Sequence, residues 1–439
     1  MAEIRPFRGL RYNLATVGDL AGAVCPPYDI VSAAEEESLV RRNKYNAVRL
    51  ELRERHPGEP QDEDRYSRAS DFFQQWLDQG VLAAEPMPAM YLVEEEFAHQ
   101  EDVRRRQGLM AVVRLEEFEK GIVMPHEFTR PGPKADRLAL MKACRTNFSP
   151  IMSLYRDSDG DLAALLARAR QGQPHATAVP QGQPEYRLWV ITDPDILEAI
   201  QVAMASRQVF VADGHHRYET ALKYRDHLEA TEGPLPHDAA ARFMMMTLIS
   251  MDAPGLVVLP YHRLLAGLDQ DELGALYAGL ERSFQVETID MSSGQGRAGV
   301  VARELENWLS GQSKDEVVVA ALGLEPEKAH LLTLRDTYKP AQDAPSLERC
   351  DMWLLHEKGI RPALGEGREN TAISFVHDAT EAVESVLDSR ADVAFLLRPL
   401  PMDLFEEVVG KGERLPSKST YFYPKLPTGL VINDLSGEL

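Results

Sequence analysis

Cysteine is scarce in this chain of 439 residues: Cys25, Cys144 and Cys350 lie far apart and never as Cys-x-x-Cys. That excludes a disulfide framework and a thiolate zinc site, and a reducing compartment is expected. Long apolar runs are missing as well. No stretch of about 18 consecutive apolar residues occurs, so no membrane span is expected. The opening segment Met1–Arg8 lacks the apolar run of a signal peptide, and a cytoplasmic protein is the expectation. Positive charge is in short supply: 48 Lys and Arg stand against 69 Asp and Glu, for a formal net charge of −21. Such a balance argues against a broad nucleic-acid surface or a membrane-coating protein, while an anionic substrate at a local basic site stays open. The sequence has no G-x-G-x-x-G and no G-x-S-x-G, so neither a dinucleotide turn nor a hydrolase elbow is supported.

What is present is an alternation of strand-like and helix-like segments along nearly the whole chain. Phe72, Phe73, Trp76 and Leu77 recur at helical spacing over 66–79. Residues 89–96 and 108–115 read as an antiparallel pair connected through Arg104–Arg106, and 45–52 reads as a strand bearing Asn46 and Arg49. The Gln-, Pro- and Gly-rich 170–185 reads as an exposed loop, and Met244–Met246 as core in a strand over 242–250. Further along, 346–358 reads as one helix. The pattern predicts an α/β (α+β) fold of mixed sheets with flanking helices. A breaker-rich loop at 231–238 places the expected boundary between an N-terminal domain 1–235 and a C-terminal domain 236–439.

Three segments carry chemistry. In 208–225, QVFVADGHHRYETALKYR, a β-forming run ends at Asp213-Gly214 and a helix opens at once with His215-His216-Arg217. A strand, a glycine turn and a helix start together offer unpaired N–H groups to an anion. Arg217 can add a bidentate phosphate contact, His215 and His216 can move a proton, and Asp213 can cap the helix, hold a metal-bound water or orient a histidine. In 123–150, His126 and Glu127 precede Thr129, Arg130, Lys134 and Arg137, and 134–145 reads as a helix. Glu127 offers a general base and the cations offer anion contacts; the plain alternative is a solvated basic helix. In 411–428, Lys418-Ser419-Thr420 lacks the glycines of a phosphate loop but can still clasp a phosphate; the plain alternative is a C-terminal strand with exposed lysines. The stretches 126–145 and 411–425 each carry a local charge of +3. Near the N-terminus, VCPPYDIV places Asp29 as a possible site carboxylate and Cys25 as a small buried hydrophobe.

Five segments together resemble a known family: VCPPYDIV (24–31), HEFTRPGPKADRLALMKACRTNFSPI (126–151), VADGHHRYETAL (211–222), MTLISMDAPGLVVLPYHRLL (246–265) and LPSKSTYFYPKLPTGLVIN (415–433). They resemble the family called domain of unknown function 1015. The shorter Asp213–Arg217 segment is similar to the signature of free-serine kinases in the ParB/sulfiredoxin superfamily. That resemblance implies a ParB/sulfiredoxin-like nucleotide-binding core, with Gly214, His215, His216 and Arg217 on the nucleotide phosphates. It also implies an upstream carboxylate base, for which Glu127, Asp29 and Asp213 are all candidates.

The expected function is a phosphotransferase or phosphohydrolase acting on a small hydroxylated metabolite, with serine kinase or phosphoserine phosphatase as the family-based form. The expected catalytic residues are Glu127, Asp213, His215 and His216. Phosphate or nucleotide contacts are expected from Gly214, Arg217, His126, Thr129, Arg130, Lys134, Arg137, Lys418, Ser419 and Thr420. Mg²⁺ held by Asp213 and a nucleotide, ATP or ADP, are the expected cofactors. The expected partner is a small anionic or nucleotide substrate, with no broad nucleic-acid surface and no membrane. The alternative is a non-catalytic nucleotide-binding regulatory protein related to ParB.

Overall fold

Side-chain alternation in the strands already fixes two cores. In Met90–His99 and Asp102–Arg114, Met90, Leu92, Leu109, Ala111 and Val113 point into one apolar cluster. Tyr91, Val93, Met110 and Val112 point into another on the opposite face. A sheet buried on both faces follows, and the computed structural model, which describes residues 2–51, 64–129, 131–291, 298–341 and 343–439, contains one.

The chain forms two units: Met1–Leu256 with Pro424–Leu439, and Val257–Tyr423. The expected boundary at 235/236 falls inside the first unit, because Phe243–Ser250 lies in the interior of its sheet. Among the described residues that sheet has nine strands. Its order runs Val123–Pro125, Val209–Asp213, Ile151–Tyr155, Phe243–Ser250, Asp102–Arg114, Met90–His99, Glu185–Ile191 and Ala176–Ala178, with Ile4–Arg5 paired alongside Asp102–Arg114. Two pairings are parallel, Val209–Asp213 with Val123–Pro125 and Phe243–Ser250 with Ile151–Tyr155; the others are antiparallel. The helices Asp161–Ala169, Pro194–Ala205 and His215–Glu232 cover one face through Leu162, Ile200, Met204 and Tyr218. The helix Arg65–Asp78 covers the other through Ala69, Phe73 and Trp76, as its spacing predicts. Each fully buried side chain of this size contributes about 1.5–3 kcal/mol. Met244, Met245 and Met246 are core, alternating between the two clusters.

The second unit holds a fully antiparallel six-stranded sheet among the described residues. Its order is Phe284–Asp290, Lys328–Leu334, Val318–Leu322, Val393–Leu396, His262–Leu265 and Ile373–Val376. The helices Ala298–Gly311 and Ala379–Leu387 pack on it through Val301, Leu305, Ala382 and Val383. A two-stranded ribbon pairs Val257–Leu259 with Tyr421–Tyr423. Mixed sheets with flanking helices are thus the architecture of the protein.

Several local expectations need correction. Residues Ala47–Leu50 form a 3₁₀ turn rather than a strand. Asn46, fully buried, caps Val48 N–H at 2.9 Å and donates to the carbonyls of Gly22 and Val24 at 2.8 and 3.1 Å. Arg104–Arg106 lie inside the strand Asp102–Arg114, not in its connection. The loop 170–185 contributes the edge strand Ala176–Ala178. The helix expected over 346–358 is broken into a 3₁₀ turn, Ser346–Arg349, a short α-helix, Asp351–Leu355, and a π turn, His356–Ile360.

Candidate functional site

The strand Val209–Asp213 is apolar because it lies inside the sheet, where Val209, Phe210, Val211 and Ala212 are buried. Its register against Ile151–Tyr155 shifts between Val211 and Asp213, an irregularity that re-aims the last side chain. Gly214 follows at φ 101° and ψ 25°, a left-handed conformation in which a Cβ would sit 3.0 Å from the Arg217 guanidinium. The 18-residue helix His215–Glu232 then opens without a capping side chain or a first-turn acid among the described residues. Its first-turn amides thus stand at the positive end of the helix dipole with no carboxylate of their own.

Asp213 is held from two sides. One oxygen accepts from Arg217 Nη2 at 2.9 Å and the other pairs with Lys425 Nζ. Arg217 also donates to the Pro150 carbonyl at 2.6 Å. Beside them, the rings of His126 and His215 meet edge to face with centroids 4.5 Å apart. His126 Nδ1 lies 2.7 Å from the Val211 carbonyl, which can only accept, so Nδ1 carries the proton. The amide of His126 donates to His215 Nε2 at 3.2 Å, which leaves the His215 proton on Nδ1, 3.5 Å from Glu127 Oε1. Burial lowers the His126 pKa, against the pull of Glu127, and lowers that of the half-buried His216 against Glu127 and Glu219. His126 and His216 therefore favour their neutral forms, next to the partly exposed carboxylate of Glu127.

The remaining cations of the second stretch also have partners. Lys134 Nζ reaches Glu219 Oε2 at 2.7 Å and Thr129 Oγ1 at 2.8 Å, and Thr129 in turn donates to Glu219 at 2.8 Å. Arg137 is buried, pairs with Glu51, binds Asp136 at 2.8 Å and lies 4.0 Å from the Tyr28 ring centroid. Ser149 donates to the other Glu51 oxygen at 3.0 Å. Burial raises the Tyr28 pKa, and Arg217 and Arg137 oppose it, which puts this phenol within electrostatic reach of both. Asp29, next to it, is exposed.

The structure therefore brings His126, Glu127, Thr129, Lys134 and Arg137 together with Asp213, Gly214, His215, His216 and Arg217 in the first unit. Arg130 lies outside the described residues. The third stretch divides between the two units: Lys425 joins Asp213, whereas Lys418, Ser419 and Thr420 belong to the second unit. There Lys418 has φ 59° and stands over the Tyr261 ring at 5.1 Å, and Ser419 Oγ donates to the Pro416 carbonyl at 2.5 Å. Cys25 is buried, and burial pushes its thiol well above the ordinary range.

Sequence reasoning missed Glu51, Glu219, Tyr28 and Lys425 as site residues. Glu219 had a signal, since it follows His215 by four residues on one helix face. Tyr28 and Lys425 lie in segments already quoted for their resemblance. Glu51 had none, because it lies within 45–52, which reads as a strand.

Fold and site define a mixed α/β protein of two units, with a strand–glycine–helix turn in the first. The chain belongs to the family described as a protein of unknown function (DUF1015), which matches residues 4–351. No curated protein matches the sequence. Among solved structures, a free serine kinase variant in complex with AMP is 13% identical at a TM-score of 0.36, covering 71% of this chain and 88% of that one. A conserved hypothetical protein from Pyrococcus furiosus is 15% identical at 0.33, covering 72% and 94%. SbnI with a C-terminal truncation, from Staphylococcus aureus, is 11% identical at 0.35, covering 75% and 84%. Likenesses at these scores carry no argument about the site. No described helix is long and apolar enough to cross a membrane.

Proposed function

We propose that the turn Asp213–Arg217 binds the phosphates of a nucleotide, ATP or ADP, and that the first unit moves a phosphoryl group to or from a small hydroxylated metabolite, serine or phosphoserine. The observation that carries this reading is the long helix opening uncapped at a left-handed Gly214, with Arg217 and Lys425 gathered on one carboxylate beside it. A phosphate carries more charge than Asp213 and would draw both cations to itself while accepting from the first-turn amides. Phosphoryl transfer asks mainly for such positioning and charge neutralisation.

Of the three candidate bases, Glu127 is the best supported. Asp213 has both oxygens engaged and Asp29 is exposed, whereas Glu127 is partly exposed and faces the Nδ1–H of His215. Glu127 would take the proton of the attacking hydroxyl, and His215, fixed by the His126 amide, would hold the carboxylate in place. A divalent ion fits less well. Asp213 would have to release Lys425 or Arg217 to ligate Mg²⁺, and no group of three or more His, Cys, Asp or Glu among the described residues could hold a metal ion. No step is routed through one.

The engagement of Asp213 also favours a second reading, a regulatory protein that binds nucleotide without turnover. Two measurements on the purified chain separate them: thermal shift with a nucleotide panel, and assays of serine phosphorylation and phosphoserine hydrolysis. Turnover in wild type that falls at least about a hundredfold in Glu127→Gln, with nucleotide stabilisation retained, is expected for a general base. Stabilisation without turnover selects the second reading. Equal activity in wild type and Arg217→Ala would remove Arg217 from the phosphate site.

A further inference from the structure

The second unit contains a cavity of about 370 Å³ that none of the proposed site residues lines. Its size lies within the ~300–1,000 Å³ of small-molecule sites. The walls are apolar: Leu309 from the end of the helix Ala298–Gly311, Met352 from the helix Asp351–Leu355, Leu404 from the helix Met402–Gly410, and Leu400 ahead of it.

The charges around these walls are biased one way. Lys314, Arg349 and Arg398 line the cavity against one carboxylate, Asp351, in a protein of net charge −21. Asp351 is already spoken for, since Arg398 holds it through Nε at 3.1 Å and Nη2 at 3.0 Å. Arg398 also binds the carbonyls of Ser313, at 2.9 Å, and Glu316, which fixes the turn carrying Lys314 against the cavity. Arg349 pairs with Glu407, which is not a lining residue. Lys314 is exposed and makes no ion pair among the described residues. Apolar walls under a cationic rim complement a molecule with an apolar body and one negative end.

We infer that this cavity binds a small amphipathic carboxylate, its apolar tail against Leu309, Met352 and Leu404 and its carboxylate at Lys314 and Arg349. Calorimetric titration of the full chain with octanoate, and with octan-1-ol as its uncharged counterpart, tests this. Saturable one-to-one binding of octanoate is expected, at least about tenfold tighter than octan-1-ol, as a charge-assisted contact implies. Lys314→Glu is expected to weaken octanoate at least about fivefold without moving octan-1-ol, because only the charged head meets that side chain. Leu404→Trp is expected to abolish both by filling the cavity. Absence of saturable octanoate binding, equal affinity for the two ligands, or undiminished binding in folded Leu404→Trp would overturn the proposal. Should Leu404→Trp fail to fold, Lys314→Glu decides by itself: unchanged octanoate affinity refutes the site. Saturating ATP is expected to leave octanoate affinity unchanged, and competition between them would assign the binding to the phosphate site instead.

Discussion

Arg106 is one of the largest fully buried side chains of the protein, and its partner Glu95 lies opposite it on the neighbouring strand. Arg106 Nε donates to Glu95 at 2.6 Å and Nη2 to the Pro424 carbonyl at 2.7 Å. Burial raises the Glu95 pKa, and Arg106 works against that rise. Removing one partner of such a pair strands the other charge, so Arg106→Met should destabilise by about 3–5 kcal/mol in denaturant unfolding. Adding Glu95→Leu should restore most of the loss, and a double variant no better than the single would show that the pair acts through something other than charge burial. The run Arg104–Arg106 was visible in the sequence, but its depth was not. A one-residue difference in strand register decides whether an arginine meets water or the core.

The turn at Gly214 shows the same at the level of an element. Strand, glycine and helix were legible from the apolar run ending at Asp213 and the helical spacing after it. The backbone angle and the nearby Arg217 guanidinium make glycine necessary there. Gly214→Ala should cost about 1–3 kcal/mol of stability through backbone strain and should weaken nucleotide stabilisation in thermal shift. Wild-type values for both would remove the turn from the site. Elements that failed in the sequence reading did so for local reasons. Ala47–Leu50 looked like a strand because Tyr45, Val48 and Leu50 are β-formers, yet the buried Asn46 side chain caps a turn there. The helix expected from 346 is interrupted at Cys350, which is extended at φ −82° and ψ 127°, and turns into a π segment ahead of Pro362, which cannot donate to residue 358.

Across the molecule, titration links the buried histidines to stability. His262 lies buried in the second sheet, where Nδ1 accepts from the Leu397 amide at 3.2 Å, and burial lowers its pKa from 6.5 to about 4. The unfolded chain therefore binds a proton that the folded chain refuses between those values, and stability falls as pH drops through this window. Asp351 acts in the opposite sense, since burial raises its pKa from 3.8 to about 6. Comparison with a non-titrating variant isolates the histidine. His262→Asn should be less stable than wild type at neutral pH, and the gap should shrink by on the order of 3 kcal/mol towards pH 4. Denaturant unfolding across that pH series reads it, and a gap that does not change with pH would mean that His262 takes up its proton as readily in the fold as in the unfolded chain.

The sequence by itself determined most of the long strands and helices, the mixed α/β class and the two basic stretches, because these follow from side-chain periodicity and local composition. It also determined the strand–glycine–helix turn, since a β-run, a glycine and a helical repeat are all local. The tertiary structure decided which charges meet. It set Asp213 between Arg217 and Lys425, more than two hundred residues apart in sequence, gave Lys134 to Glu219 and Arg137 to Glu51, and left Glu127 facing His215. It also divided the basic stretch 411–425 at 423/424, keeping Lys425 with the turn and Lys418 with the second unit. Ion pairing acts over a few ångströms, and apart from Asp213 with Arg217, four residues on, long-range strand and helix packing sets those distances.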